Sequence, residues 1–311
     1  MNKKELLARV GDISQIGGVR DFTYNDGKMK GVRAIEINTG KISFVVLPDR
    51  CMDIAQASYK GEAISWISKT GITSPEYYDR TDKNFLRGFF GGLVTTCGLK
   101  NIGKPYLDQG QHGRIANTPA EKVSVFADWV GDDYVIEVSG QVRECAVFGE
   151  NLVLKRTIKT KLFSDEFTLE DIIINEGFEN EEIALCYHCN FGYPLVNENA
   201  VMTNVPADIA ALSAPIHGKT EECLKVPFEN QDEVTVGIKN EKIFASITYK
   251  TATLPNFLIW KMMGESEYVV GLEPRTTNRG GENIRINDEY VNLKPFEEYK
   301  TYIKFKVEDV K

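Results

Sequence analysis

Short hydrophobic runs, several of which alternate with polar residues at a period of two, recur along the chain. These runs are rich in Val, Ile, Phe and Thr, and Gly, Asn and Asp separate them. Eight of them read "AIEINTG", "ISFVVLPD", "YVIEVSG", "LVLKRTIKTKL", "EFTLEDIIINEG", "IFASITYK", "YVVGLEP" and "TYIKFKV". Such alternation places successive side chains on opposite faces of a strand. Regular strands between turn signals predict an all-β fold, a large antiparallel β-sandwich.

Helical patterns are scarce. The segment "NKKELLARVGDI" at the start is the best helix candidate, and Gly11 is its predicted stop. We find no internal repeat, no low-complexity tract and no linker rich in Pro, Gly and Ser that would divide the chain. The sequence therefore predicts a single domain over residues 1–311.

Composition and charge narrow the class of partner. The chain is 42% hydrophobic and 26% charged, as in a globular protein that can bury a large core. Its formal charge of -8 opposes binding to nucleic acid or to an anionic membrane. No secretory signal or long apolar segment is present, and six scattered cysteines suit reduced thiols, so we expect a cytoplasmic protein. Nothing in the sequence indicates an oligomeric state.

The run "ALCYHCNF" places a histidine inside an otherwise apolar strand. Alternation assigns Tyr187, Cys189 and Phe191 to a core face, and His188 and Asn190 to the opposite face. That second face has small residues before the two polar ones, as the floor of a polar groove would. This strand alone supports a second interpretation equally well, in which the histidine only hydrogen-bonds a neighbouring strand.

The same run contains a C-x-x-C pair, Cys186 and Cys189. Residues three apart in a strand point to opposite faces, so the two thiols are not expected to share one metal ion, and no second such pair exists. We therefore predict packing roles for these cysteines and no metal site.

Other candidate polar residues occur in a loop and at strand ends. His112 lies in the Gly-rich loop "DQGQHGRIANTPAE", where a ligand-binding residue and a solvated residue are both plausible. Glu273 and Arg275 share one face at the end of "YVVGLEPR", where an acid held between an apolar strand and a proline suits a general base. Arg50 and Asp53 in "LPDRCMDI" are placed to bind hydroxyl or carboxylate groups, or to pair within the sheet.

Familiar catalytic motifs are missing. The sequence has no G-x-x-x-x-G-K-[ST] phosphate loop, no G-x-S-x-G elbow and no H-E-x-x-H zinc helix.

Five stretches, taken in order, carry a resemblance to a known family. They are "LPDRCMDI", "FFGGLVTTCGL", "QHGRIANTPAE", "YHCNFGYPL" and "IWKMMGESEYVVGLEP". Together they resemble the galactose mutarotase-like (aldose 1-epimerase) superfamily, in a branch of undefined substrate. The resemblance covers nearly the whole chain and implies a β-supersandwich whose concave face holds a sugar, with no cofactor.

The resemblance also implies roles for individual residues. His188 would protonate the ring oxygen as general acid, with Asn190 beside it, and Glu273 would take the anomeric hydroxyl proton as general base. His112 would help to bind the sugar near the ring oxygen. Opening a cyclic hemiacetal needs both proton transfers, and closing it reverses them.

The stretch that supplies a substrate-binding arginine in typical members has no clear copy here. Arg50, Arg87 and Arg275 are therefore the candidate arginines, and Asp53 is a candidate for the hydroxyl-binding aspartate. Two alternatives stay open: a sugar-binding sensor without catalysis, and another isomerase or lyase that holds a divalent metal through His112, His188 and Glu273.

Overall fold

A computed structural model of the chain describes residues 2–228, 231–278 and 290–310. This part of the chain is mostly antiparallel β-structure, as the alternating pattern predicts. The twenty strands are β1 Gly18–Thr23, β2 Arg33–Asn38, β3 Ile42–Leu47, β4 Asp53–Tyr59, β5 Glu62–Ala63, β6 Thr95–Cys97, β7 Ala120–Val130, β8 Asp133–Cys145, β9 Asn151–Lys161, β10 Glu166–Asn175, β11 Glu181–Ile183, β12 Cys186–Gly192, β13 Val201–Thr203, β14 Glu222–Lys225, β15 Glu233–Lys239, β16 Ile243–Lys250, β17 Asn256–Gly264, β18 Glu267–Arg275, β19 Val291–Leu293 and β20 Glu298–Asp309.

Helices are few and short. The α-helices are α1 Lys3–Leu7 and α2 Ala207–Ala210, and 3-10 turns lie at Ile13–Gln15, Gly27–Met29, Pro75–Tyr77, Asn84–Arg87 and Ile115–Asn117. A capping box between Asn2 and Glu5 starts α1, but the helix ends at Leu7, so its predicted extension to Gly11 is wrong. No helix in the described ranges is long and apolar enough to cross a membrane.

The strands form four sheets. The largest has the order β13-β15-β16-β20-β10-β9-β8-β7, one five-stranded sheet runs β1-β2-β3-β4-β5, a second runs β14-β17-β18-β12-β6, and β11 pairs with β19. One apolar cluster draws buried residues from all three larger sheets, among them Ile37, Ile158, Tyr187, Leu272 and Phe305. The hydrophobic effect on these inner faces holds the layers together.

A buried ionic group lies within this core. Arg156 is fully buried and bridges Asp53 (Nη1–Oδ1, 2.8 Å) and Asp171 (Nη2–Oδ2, 2.7 Å). Thr96 on β6 and Tyr187 on β12 donate further hydrogen bonds to the two carboxylates. Every charge is therefore paired, as burial away from water requires.

Candidate functional site

Strand β12 presents two different faces, as its sequence predicts. Tyr187, Cys189 and Phe191 are buried in the main core. His188 points the other way and lines a cavity of about 250 Å³. Its side chain is only 5% exposed, because aromatic rings close around it. The polar face of β12 is thus the floor of a pocket.

Strand β18 places an acid directly opposite this histidine. The two strands are antiparallel neighbours, and their register pairs Cys186 with Arg275 and Cys189 with Leu272. His188 therefore stands across from Glu273, and its Nε2 lies 3.2 Å from Oε1 of the carboxylate. Glu273 is 3% exposed. Sheet pairing holds the two groups in contact although 85 positions separate them along the chain.

Hydrogen bonds on both sides of the His188 ring fix its orientation. The Asn190 amide Nδ2 donates to the His188 carbonyl at 2.9 Å, so its Oδ1 is the atom that lies 2.5 Å from His188 Nδ1. A carbonyl oxygen and a carboxylate both accept hydrogen bonds, so each ring nitrogen faces an acceptor. These two contacts hold the ring from both sides and keep Nε2 pointing towards Glu273. Asn190 is fully buried and acts on His188 from behind, away from the cavity.

The second oxygen of Glu273 has two partners of its own. Arg275 Nη1 lies 3.5 Å from Oε2, and the Cys186 thiol donates to the same oxygen at 3.5 Å. Arg275 is held in turn by a hydrogen bond from its Nε to the Thr277 carbonyl at 2.6 Å. Arg275 thus lies beside Oε2, while Oε1 faces His188.

A glycine makes room for this arrangement. A Cβ added at Gly271 would lie 3.1 Å from His188 Cε1 and 3.2 Å from Trp260 Cβ. Glycine in a strand interior often marks such a close approach. The Gly271 position inside "YVVGLEP" was a signal for the site that sequence reasoning missed.

His112 reaches the same cavity from its loop, as the sequence predicts. Its backbone is left-handed (φ 62°), and its Nδ1 accepts the Gly103 N–H at 3.3 Å. Burial, and then the nearby His188, lower the pKa of His112 to about 3. The ring is therefore neutral near pH 7, with its proton on Nε2. It offers a hydrogen-bond donor, and its centroid lies 6.0 Å from that of His188.

Aromatic rings form the cavity wall, and the sequence reasoning had assigned none of them to the site. Phe89 and Trp260 stand edge-on to His188, with centroids 5.2 and 5.1 Å away, and Phe85 lies 5.1 Å from His112. The only sequence signal for these rings was their position in or beside the stretches that carry the family resemblance, such as "FFGGLVTTCGL" and "IWKMMGESEYVVGLEP". Such walls are usual in small-molecule sites.

Further polar groups line the cavity. Lys83 and Lys104 lie at its margin, and Glu221 accepts a hydrogen bond from the Trp260 indole at 2.7 Å. Gln111 also lines it, and its buried Oε1 has no hydrogen-bond partner among the residues that the structure describes. A buried acceptor without a partner is rare in folded proteins and suits a ligand hydroxyl.

Arg50 does not line this cavity, and its predicted role in substrate binding needs correction. Its guanidinium is 1% exposed and donates to the carbonyls of Ala116 (2.8 Å), Thr73 (2.6 Å) and Gly88 (3.1 Å). All three of its donating nitrogens thus bind backbone carbonyls and join the loops that carry them. Burial lowers the pKa of Arg50 to about 10.

Asp53 and Arg87 do not line the cavity either, so their predicted roles in sugar binding also need correction. Asp53 is fully buried in the ionic group around Arg156, where burial raises the pKa of its carboxyl to about 6. Arg87 is exposed, donates from Nε to Asn84 Oδ1 at 3.1 Å, and faces a shallow outer hollow beside the margin. Of the predicted set, His112, His188, Glu273 and Arg275 line the cavity, and Asn190 supports it from behind.

The cysteines are free thiols. Cys186 lies beside Glu273, while Cys189 is buried in the main core, so the two point to opposite sides of β12 as alternation requires. In the described ranges, no group of three or more His, Cys, Asp or Glu side chains is arranged to hold a metal ion.

Comparison with known proteins agrees with the architecture. A family model described as "Domain of unknown function (DUF4432)" matches residues 29–307. No curated protein sequence matches the chain significantly. A "putative aldose 1-epimerase" from Klebsiella pneumoniae has a similar solved structure, with a TM-score of 0.87 and 21% sequence identity; the match covers 99% of this chain and 86% of that one.

Two more distant structures show the same likeness. A galactose mutarotase-like protein from Clostridium acetobutylicum has a TM-score of 0.63 at 13% identity, and the match covers 95% of this chain and all of that one. One from Lactobacillus casei has a TM-score of 0.58 at 14% identity, over 88% of this chain and all of that one. At these identities the likeness concerns the fold. The predicted galactose mutarotase-like β-supersandwich is confirmed.

Proposed function

The chain belongs to the DUF4432 family, whose description assigns no function, and from its site we propose that it is an aldose 1-epimerase-like isomerase. It would interconvert the anomers of a sugar by acid–base catalysis. One observation carries the proposal: His188 and Glu273 are in contact, 3.2 Å apart, at the floor of a cavity walled by aromatic rings. The names of the solved structures with this fold point to the same reaction class.

The residue types fit the two proton transfers of the reaction. Glu273 accepts the proton of the anomeric hydroxyl, and His188 donates its Nε2 proton to the ring oxygen as the bond between that oxygen and the anomeric carbon breaks. The product is an open-chain aldehyde. Rotation about the neighbouring carbon–carbon bond exposes the other face, and closure returns each proton to its donor.

The contact between the two groups suits this chemistry. The ring oxygen and the anomeric hydroxyl oxygen are bonded to one carbon, so the acid and the base must lie within a few ångströms of each other. In the free protein His188 Nε2 and the Glu273 carboxylate contact one another, and a sugar must enter between them. Arg275 and Cys186 then keep Glu273 in place through its other oxygen.

Sugar recognition would use the remaining polar groups of the cavity. His112 offers an Nε2–H donor, and Gln111 offers an oxygen, unpaired within the described ranges, that accepts from a hydroxyl. Phe89 and Trp260 supply apolar faces for the C–H surface of the ring. The donors, acceptors and apolar faces together resemble the usual make-up of a small polar-ligand site.

The other expectations from the sequence accompany this proposal. We expect a single-domain cytoplasmic enzyme that acts on a small sugar without a cofactor and does not bind nucleic acid. The alternative of a metal-dependent isomerase on His112, His188 and Glu273 has no ligand cluster in the described ranges to support it.

Magnetisation-transfer NMR tests the proposal directly, because it measures exchange between anomers at equilibrium. A panel of aldoses and uronates is screened with the wild-type protein, and we expect at least one sugar to exchange faster. Glu273→Gln should lower kcat by about 100-fold or more, the usual contribution of a general base. Glu221→Gln is the matched control, because this carboxylate lines the same cavity but is bound to Trp260.

Two results would contradict the proposal: no acceleration for any sugar, or full activity in Glu273→Gln. Saturation-transfer binding signals without anomer exchange would instead favour a sugar sensor.

A further inference from the structure

A second hollow adjoins the cavity of the proposed active site. It has a volume of about 470 Å³ and is formed by Trp66, Phe89, Trp260 and Met262, with a polar rim; we call it the aromatic groove. Leu86, Phe89, Glu221 and Trp260 line both the groove and the cavity. The groove and the cavity are therefore neighbours, separated by no more than these shared side chains.

The indole of Trp66 is a preformed platform in this groove. Its ring centroid lies 5.8 Å from that of Trp260 and 6.1 Å from that of Phe89. A Cβ added at Gly91, where φ is +77°, would lie 2.5 Å from Trp66 Cε3, so only glycine lets the indole rest on the backbone there. The ring is partly exposed on the groove side, and little ordering is needed before a ligand binds.

Polar groups surround these apolar faces. Lys69 and Glu267 form an ion pair at 2.5 Å on the rim, and Thr70 and Thr220 lie there too. A pyranose ring has the complementary chemistry, with apolar C–H faces and hydroxyl groups around its edge. Indole surfaces pack on the faces, while the rim groups hydrogen-bond the edge.

We propose that the aromatic groove binds a second sugar unit, so that the substrate is a reducing disaccharide or a longer oligosaccharide. Its reducing unit occupies the cavity with His188 and Glu273, and the unit linked to it lies on Trp66. This inference rests on the proposed function for the cavity. The groove has residues of its own, Trp66 and Met262 among them, and its occupancy can be tested separately.

The test compares each disaccharide with the monosaccharide that forms its reducing unit. Maltose, cellobiose and lactose are paired with glucose, and xylobiose is paired with xylose, in the anomer-exchange assay. For the best pair we expect kcat/KM to be about tenfold higher for the disaccharide, which corresponds to about 1.4 kcal/mol. Trp66→Ala should abolish that preference, and Trp66→Phe should keep part of it.

Trp129→Ala is the matched control, because Trp129 packs against Tyr134 in a separate apolar cluster. It should leave the preference unchanged. The inference is overturned if no disaccharide is preferred by the wild type, or if Trp66→Ala slows both members of a pair equally. In either case anomer exchange of monosaccharides would still support the proposed function.

If the wild type exchanges no anomers at all, the proposed function fails and the groove is judged by binding. The same pairs are then titrated by isothermal calorimetry. Tighter disaccharide binding that is lost in Trp66→Ala supports the groove, and equal binding of both members overturns it.

Discussion

Replacing Asn190 with leucine separates a positioning role from a role in substrate contact. Asn190 is fully buried, and its amide makes two hydrogen bonds to His188, one to the ring and one to the backbone carbonyl. Leucine has a similar volume but makes neither bond. The imidazole would then lose the contact at Nδ1 that holds its Nε2 towards Glu273.

The expected loss of activity follows from the strength of the hydrogen bond between Asn190 and the His188 ring. A hydrogen bond to a charged group contributes about 1.5–3 kcal/mol to stability. If this free energy is lost from the orientation in which His188 donates its proton, kcat falls about 10- to 150-fold, since each 1.36 kcal/mol is tenfold in rate. Asn190 does not line the cavity, so KM should change less than about threefold.

Anomer exchange measured over a range of sugar concentrations gives kcat and KM separately. Asn190→Asp keeps an acceptor at nearly the same volume, so it should recover most of the activity lost in Asn190→Leu. Urea unfolding of both variants establishes that they are folded. A raised KM with unchanged kcat would refute this reasoning and restore Asn190 as a substrate contact.

Three further predictions address stability and recognition. Burial raises the pKa of Glu144 to about 7 from 4.5, so the folded state holds a proton that the unfolded state has lost between those pH values, and stability falls as pH rises through that window. Glu144→Gln should therefore raise the free energy of unfolding at pH 8 by up to about 3 kcal/mol, with little effect near pH 4.5. If the wild type and the variant had equal urea midpoints at both pH values, the prediction would be wrong. Arg50→Met should destabilise the fold by about 3 kcal/mol or more in urea unfolding, because two buried carbonyls and one partly buried carbonyl lose their donor. A variant that is stable but binds sugar poorly would return Arg50 to the substrate-binding set. Gln111→Leu should raise KM about three- to tenfold with kcat nearly unchanged, because one neutral hydrogen bond to the sugar is lost. An unchanged KM would mean that the Gln111 Oε1 atom does not contact the sugar.

Local patterns predicted the strands well. All eight alternating runs lie on strands, and "IFASITYK" coincides with β16, Ile243–Lys250. The pattern also separated the core face of β12 from the cavity face, because a period of two leaves no freedom in which side a residue faces. The predicted start helix was too long, since local propensity sets helix ends only weakly.

The site was partly predictable for a related reason. His188 and Glu273 were found from the polar positions that interrupt two apolar strands, and a resemblance in motifs supplied their roles. The aromatic wall, Gln111 and Gly271 were missed, because aromatic and glycine residues serve cores and turns far more often than they serve ligands.

The sequence by itself determined which residues form strands and which side of each strand is polar, because both depend on neighbours along the chain. Only the tertiary structure decided that β12 lies beside β18 in the register that sets His188 against Glu273. Likewise, only the packing of loops decided that Arg50 binds backbone carbonyls and that Asp53 pairs with Arg156. A charged side chain at a strand end suits a ligand or a buried partner equally well. The choice depends on residues distant in sequence, which chain-local patterns do not reveal.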